Sequence, residues 1–439
     1  MSISDHALAR RPWVPEASES FVHSIASTTR SSSPRELSTR LRELVSTNDR
    51  IHNIECVNLN PATNTMSPAA VAALGSGLGT RTSLGYAGAK YEMGLEAIEQ
   101  IEVIAAELAA EVFGARYAEV RVPSGAMANL YAFMACAQPG DAIIVPPASI
   151  GGHVTHHAAG VAGLYGLEIH EAPIDAVNYT IDVTALATLA ARVVPKMISV
   201  GSSLNLAHHD VPGIRAVADS IGATVLFDAA HLSGLIAGQA WPNPLDQGAH
   251  LMTMSTYKSL GGPTAGLVVT NEQDIAERIE AIAFPGMTAN FDASKTAALA
   301  ITLVDWMEFG NEYANMMTSS ATQLSRSLIH LDVPLFETQG GTTLSHALAI
   351  DCRQRGGGHR SAIHLRNANI LASSIGLPTG LDDGLRLGTN EVVRWGAVDA
   401  DMHELADLIA RALTTDDPAS IAPAVTTYRS RFDTVRYTV

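Results

Sequence analysis

Thirty positions separate Asp228 from Lys258, and the runs around them point to a shared chemistry. Asp228 closes the apolar run Ala223-Thr224-Val225-Leu226-Phe227, which reads as a buried strand. Lys258 lies in Ser255-Thr256-Tyr257-Lys258-Ser259-Leu260-Gly261-Gly262-Pro263, a small polar loop after the strand-like Leu251-Met252-Thr253-Met254. A carboxylate and a lysine at successive strand ends are what pyridoxal phosphate requires. The lysine forms a Schiff base with the cofactor aldehyde. The carboxylate keeps the pyridine nitrogen protonated, so that the ring accepts electrons. Each residue also has an ordinary reading. A loop lysine is usually solvated, and an aspartate at a strand end often caps the next helix. The pairing of the two motifs favours the cofactor.

Three further motifs fit the same ligand. Pro123-Ser124-Gly125-Ala126-Met127-Ala128-Asn129 follows the strand-like Glu119–Val122 and opens a helix. Free N–H groups at such a start attract phosphate, Ser124 adds a hydroxyl, and Gly125 and Ala126 let the anion approach. Gly151-Gly152-His153-Val154-Thr155-His156-His157 offers a flat imidazole, His153, to stack on a ring. Zinc bound by His153, His156 and His157 is the alternative, although no carboxylate or cysteine ligand lies nearby in sequence. His231, three residues after Asp228, orients the cofactor or the aspartate, or is a core histidine. Arg386, in Gly384-Leu385-Arg386-Leu387-Gly388-Thr389, presents a fork that suits a substrate α-carboxylate. The competing reading is a structural salt bridge, and Arg394 is a second candidate.

These residues need a scaffold. The chain has 439 residues, too many for one compact core, so two domains and an extra arm are expected. The boundaries read as an arm over 1–55, a large domain over 56–300 and a small C-terminal domain over 301–439. The arm is polar, with one helical pattern near Leu37–Val45. Strand-like and helix-like runs then alternate, which implies a mostly parallel sheet with helices on both faces. Two long helices are expected near Ala297–Phe309 and Met316–Ile329, followed by a strand at Ala347–Ile350 and an amphipathic helix at Ala400–Thr414. The net charge of -16 argues against a nucleic-acid surface. Cys56, Cys136 and Cys352 are too sparse for a disulfide framework, which fits reduced thiols in a cytoplasm. No apolar stretch follows Met1-Ser2-Ile3-Ser4-Asp5-His6, so a secretory start is not expected, and no run is long enough to span a membrane.

In this order the motifs resemble the serine hydroxymethyltransferase family, over roughly Asn58 to Ile409. Gly85-Tyr86-Ala87-Gly88-Ala89-Lys90-Tyr91 is similar to its EGYPGxRYY segment, and Ser124–Asn129 to its SGxQAN phosphate loop. Gly151–His156 resembles its GGHLTH, Asp228–His231 its DxAH, and Phe284-Pro285-Gly286 the start of its FPGxQGGP. The resemblance implies a fold-type I pyridoxal-phosphate enzyme: an α/β chain with a mostly parallel, seven-stranded sheet in a large domain, and a smaller C-terminal α+β domain. It implies Lys258, His153 and Asp228 as catalytic residues. The cofactor set adds Ser124, Gly125, Ala126, Ser203, His231, Ser255 and Gly286. The substrate set is Arg386, Tyr91 and Tyr257, with no metal. A homodimer or tetramer follows from the same resemblance.

Most of the departures from the family pattern fall in the substrate and folate half or at the dimer contacts. The family glutamate before GY is Leu84 here, which cannot titrate, and the tyrosine two residues earlier is Thr82. The LIASEN serine and glutamate become Ala62 and Thr63, the histidine before the lysine becomes Tyr257, and the GPRGG arginine becomes Thr264. Glu92, a little further along, is a candidate base, against the reading of a solvated carboxylate. The resulting expectation is a hydroxymethyltransferase of the serine/2-methylserine type. It would split the Cα–Cβ bond of a β-hydroxy-α-amino acid into glycine or alanine and a one-carbon unit, with tetrahydrofolate as an optional acceptor. A folate-independent threonine-type aldolase or transaldolase, and another enzyme of the same cofactor such as an aminotransferase or racemase, are the alternatives.

Overall fold

The structure is a computed structural model that describes residues 8–439. The Met1–His6 segment read above lies outside the described residues. The chain forms two compact units, the first ending at Cys56 and the second running Val57–Val439.

Among its described residues the first unit holds two α-helices, Glu16–Ser31 and Pro34–Asp49, the second running on into a π-helical turn at Arg50–Glu55, where one helix was expected. The second helix starts on a capping box. Ser33 accepts from the Glu36 N–H, and the Glu36 carboxylate accepts from the Ser33 N–H. The first helix escaped sequence reading because its apolar stripe is thin. Phe21 and Ile25 remain exposed, as do Leu41, Leu44 and Val45 of the second.

The second unit is built on a seven-stranded sheet. Its strands are β1 (Tyr117–Val122), β2 (Ala142–Val145), β3 (Glu168–Glu171), β4 (Met197–Val200), β5 (Thr224–Asp228), β6 (Leu251–Ser255) and β7 (Gly266–Thr270). The spatial order is β1-β7-β6-β5-β4-β2-β3. Only β7 runs against its neighbours. Strands β4, β6 and β7 are buried along their whole length, as expected of a sheet covered on both faces. Alternate residues serve opposite cores. Val225, Phe227, Met252 and Met254 enter one, while Leu226 and Leu251 enter the other.

A smaller antiparallel sheet follows, from β8 (Ala347–Asp351), β9 (Ser373–Leu377) and β10 (Gly380–Gly388), in the order β8-β10-β9. Its far face packs Leu348, Ile350, Leu385 and Leu387 against Leu405 and Ile409 of the Met402–Thr414 helix.

The two helices expected between Ala297 and Ile329 are one, Ala293–His330. Gly310 does not break it. The gap at this glycine is filled by a neighbouring turn: a Cβ at Gly238 would lie 2.2 Å from the Gly310 carbonyl oxygen. Close packing therefore outweighs the weak helix propensity of glycine.

Candidate active site

Three strand ends converge on one edge of the large sheet, the usual ligand edge of an α/β fold. Ser124 follows β1, Asp228 ends β5, and Lys258 follows β6. They line a cavity of about 130 Å³ together with Gly125, Ala126, His153, Ser203, His231, Ser255 and Tyr257. A wider groove of about 590 Å³ over the edge strand β1 holds none of the predicted residues.

Lys258 is only 6% exposed. Burial pushes its ammonium down to about 8, and the Asp228 charge opposes this only in part. An amine near neutrality is a nucleophile, unlike a solvated lysine. Asp228 is also buried, which by itself would raise its pKa. The hydrogen bond from His156 Nε2, the charge of Lys258 and the Asn129 hydrogen bond outweigh that and hold it well below the usual carboxylate range. His156 Nε2 and Asn129 Nδ2 each lie 2.9 Å from Asp228 Oδ2. Behind them, Ser199 Oγ is 3.1 Å from His156 Nδ1, and Thr253 Oγ1 donates to Asn129 Oδ1 at 2.6 Å.

The histidine cluster separates onto three different partners: Asp228, the Pro146 carbonyl and, for His153 Nδ1, Thr155 Oγ1 at 2.9 Å. His156 holds Asp228, and His157 Nε2 lies 3.1 Å from the Pro146 carbonyl. His153 stands at the mouth with an open face. Burial of its inner side and the charge of Lys258 push it down to about 4, so its ring is neutral at pH 7.

Ser124 caps the Gly125–Cys136 helix by accepting from the Met127 N–H. First-turn N–H groups of such a helix have no intrahelical partner. Gly125 is required here: a Cβ would lie 2.0 Å from Ser255 Oγ. The cradle therefore excludes a side chain and leaves backbone N–H groups to meet an anion. A buried nucleophilic amine, a locked carboxylate, a neutral flat ring and a helix start thus surround one space. These residues fit pyridoxal phosphate.

Arg386 adjoins the cavity from β10. It is 6% exposed, and burial lowers it to about 10, so it is charged at pH 7. Nη1 donates to the Ser203 carbonyl and lies 3.5 Å from His231 Nε2. Ser373 Oγ accepts from Nε at 3.3 Å and Nη2 at 3.0 Å. Among the described residues, no carboxylate pairs with it. Arg394 differs, since it is ion-paired to Asp305 at 3.1 Å. His231 is buried with Nδ1 unpartnered among the described residues. Burial, Lys258 and Arg386 push it well below its ordinary value.

Three predicted residues lie off the cavity of this chain. Tyr91 is 82% exposed, and Gly286 lies in the exposed end, Pro285–Met287, of the Ile282–Met287 turn. Glu92 Oε2 accepts from the Leu84 N–H at 3.1 Å. Tyr91 and Glu92 follow the hairpin Gly85–Tyr86/Ala89–Lys90, which Lys90 pins to Glu102 at 2.7 Å. Sequence reading did not single out Asn129, His156 or Ser373 for these contacts. The first two lay inside quoted motifs; Ser373 carried no sequence signal.

The chain is similar to known proteins over most of its length. The sequence model of serine hydroxymethyltransferase matches residues 38–409. An alpha-methylserine aldolase of Variovorax paradoxus is 57% identical over 437 residues, covering 99% of both chains. An alpha-methylserine aldolase of a Ralstonia species is 51% identical, covering 98% of this chain and 99% of its own. A serine hydroxymethyltransferase of Sulfolobus acidocaldarius is 33% identical, covering 92% and 95%.

Proposed function

We propose, since the chain belongs to the serine hydroxymethyltransferase family, that it is a pyridoxal-phosphate-dependent, aldolase-type enzyme of the serine/2-methylserine class. It breaks the Cα–Cβ bond of a β-hydroxy-α-amino acid. From 2-methylserine the fragments are alanine and formaldehyde; from serine they are glycine and the same one-carbon unit. The observation that carries the substrate class is Arg386, a buried cation with no carboxylate partner among the described residues. Such a charge calls for an anion, and an amino-acid carboxylate supplies one.

When bound, pyridoxal phosphate supplies the electron sink for the carbanion left at Cα. The chain's residues do the rest. Lys258 provides the amine that attaches the cofactor. Asp228, held charged by His156 and Asn129, would meet the pyridine nitrogen of the bound cofactor. His153, neutral at the cavity, would offer its flat ring to the cofactor face. Ser124, Gly125, Ala126 and Ser255 form the phosphate cradle, and Ser203 and His231 border the ring. Arg386 aligns the substrate carboxylate, with Ser373 holding two edges of the guanidinium, and Tyr257 borders the substrate.

Cleavage also needs a base for the substrate hydroxyl. Glu92 suits the role, because its carboxylate touches the backbone of Leu84, the position of the family glutamate. It reaches a cavity in a homodimer, where the hairpin of one copy, with Tyr91, faces the site of the other; Gly286 belongs to the same edge. The exposure of Tyr86, Tyr91 and Met93 supports that reading, as do Val103 and Ile104. We place the enzyme in the cytoplasm, in keeping with its sparse cysteines, which form no disulfide framework. No helix among the described residues is long and apolar enough to cross a membrane. The division at about residue 300 into a large and a small domain is supported by the separate apolar core behind the β8–β10 sheet.

The pH response of cofactor attachment follows from Lys258. Only the neutral amine attacks an aldehyde, so the attachment rate rises as pH passes through about 8 and levels off above it. Mixing the cofactor-free protein with pyridoxal phosphate and following absorbance measures that rate. A rate still climbing toward the ordinary lysine pKa of about 10.4 contradicts a depressed Lys258.

Folate independence is favoured over folate dependence, because the 57% relative is named an aldolase and the hydroxymethyltransferase is more distant at 33%. Purified enzyme with 2-methylserine, serine or threonine, each with and without tetrahydrofolate, tests the reading. The expected result is folate-free cleavage of 2-methylserine to alanine, faster than serine by about tenfold or more, the scale of one methyl group in a fitted pocket. Absolute dependence on tetrahydrofolate, or a keto acid or enantiomer as product, contradicts it.

A further inference from the structure

Lys258 and Arg386 belong to different segments, yet a substrate must meet both at once. The Ala293–His330 helix links those segments through two aromatic residues seven positions apart, on one helix face. Trp306 and Tyr313 are both buried, with ring centroids 5.2 Å apart. Trp306 Nε1–H donates to the Leu260 carbonyl at 2.7 Å, two residues beyond Lys258. The Tyr313 hydroxyl donates to the Asn390 carbonyl at 2.6 Å and accepts from Asn64 Nδ2 at 2.9 Å.

Asn64 completes the link. A Cβ at Gly261 would lie 3.2 Å from Asn64 Nδ2, so the lysine loop rests on this side chain. At its other end the Leu59–Asn64 segment reaches the strand of Arg386. The Gly388 N–H donates to the Leu59 carbonyl at 2.7 Å, and a Cβ at Gly388 would lie 2.5 Å from Pro61 Cβ. Asn390 Nδ2 donates to the Thr63 carbonyl at 2.5 Å. One segment thus spans from the arginine strand to the lysine loop; Tyr313 ties that segment, and Trp306 the lysine loop, to a single helix. Burial pushes the Tyr313 phenol well above its ordinary range, so its hydroxyl keeps the proton it donates. Neither residue touches the cavity.

We infer that Trp306 and Tyr313 are positioning residues, which set the spacing between the Lys258 amine and the Arg386 guanidinium and hence the register of the substrate between them. The inference rests on the function proposed above. Such a brace acts on binding geometry without touching a reacting atom, and small errors of placement are costly there.

The test uses cofactor-loaded enzyme. Tyr313→Phe removes one oxygen and leaves the ring stacked on Tyr437, whose centroid is 4.8 Å away. It is expected to raise KM for 2-methylserine about three- to tenfold, within the scale of the two neutral hydrogen bonds its hydroxyl makes, with kcat changed far less. Asn64→Ala breaks the same link from the segment side and gives the same KM rise even if the tyrosine variant fails to fold. The double variant is no worse than the poorer single one, because the link is broken once. Trp306→Phe shifts the pH midpoint of the bound-cofactor absorbance. Unchanged KM in both Tyr313→Phe and Asn64→Ala, additive effects in the double variant, or a wild-type midpoint in Trp306→Phe overturns the inference, whatever the melting temperatures. Failure of the functional reading appears in the wild type itself, as no cofactor band or no cleavage. Failure of the brace appears only in the variants.

Discussion

Lys258→Ala protein loses the Schiff-base band of the bound cofactor near the visible edge, and its turnover falls by about three orders of magnitude or more, the scale of a lost covalent or acid–base catalyst. The reason is specific to this side chain. Burial has already lowered its pKa to about 8, and the nearby Asp228 is charged. Removing the lysine leaves the carboxylate, the His153 face and the helix start in place. Cofactor binding therefore weakens without vanishing, whereas the covalent link is gone. Absorbance spectra and a cleavage assay read the two effects separately. A variant that keeps the wild-type band places the link on another residue.

Arg386→Ala lowers kcat/KM by about two to three orders of magnitude, as expected for losing two charge-assisted hydrogen bonds in a buried site. Its cofactor spectrum stays close to wild type. Arg386→Lys recovers only a small part, since an ammonium is a point charge that cannot reproduce the fork held by Ser373 and the Ser203 carbonyl. Steady-state kinetics with the preferred amino acid decide this. An alanine variant with wild-type kcat/KM means that the buried charge serves another anion.

Both predictions rest on residues visible in the sequence, for a physical reason. Asp228 and Lys258 stand at the ends of strongly apolar strands, and a charged residue there has few purposes. The strands themselves were legible from their apolar runs, and β5 and β6 formed within a residue of expectation. Long-range contacts were not legible. His156 read as one of three equivalent histidines until its 2.9 Å bond to Asp228 set it apart. Ser373 has no local signal, because its role comes from lying opposite Arg386 across two strands. The Ala293–His330 helix was divided in two because Gly310 signals a break locally, and only its contact with Gly238 explains the glycine. Glu92 was chosen for its nearness in sequence to Leu84, and the chain's own fold brings the two together while leaving Tyr91 turned outward.

The central claim is a covalent bond between an aldehyde cofactor and one lysine. Reducing the loaded enzyme with borohydride, digesting it and weighing the peptides tests that bond directly. The account predicts a pyridoxyl adduct on the peptide carrying Lys258 and on none carrying Lys90, Lys196 or Lys295, the chain's other lysines. An adduct on one of those three, or no adduct at all, contradicts it.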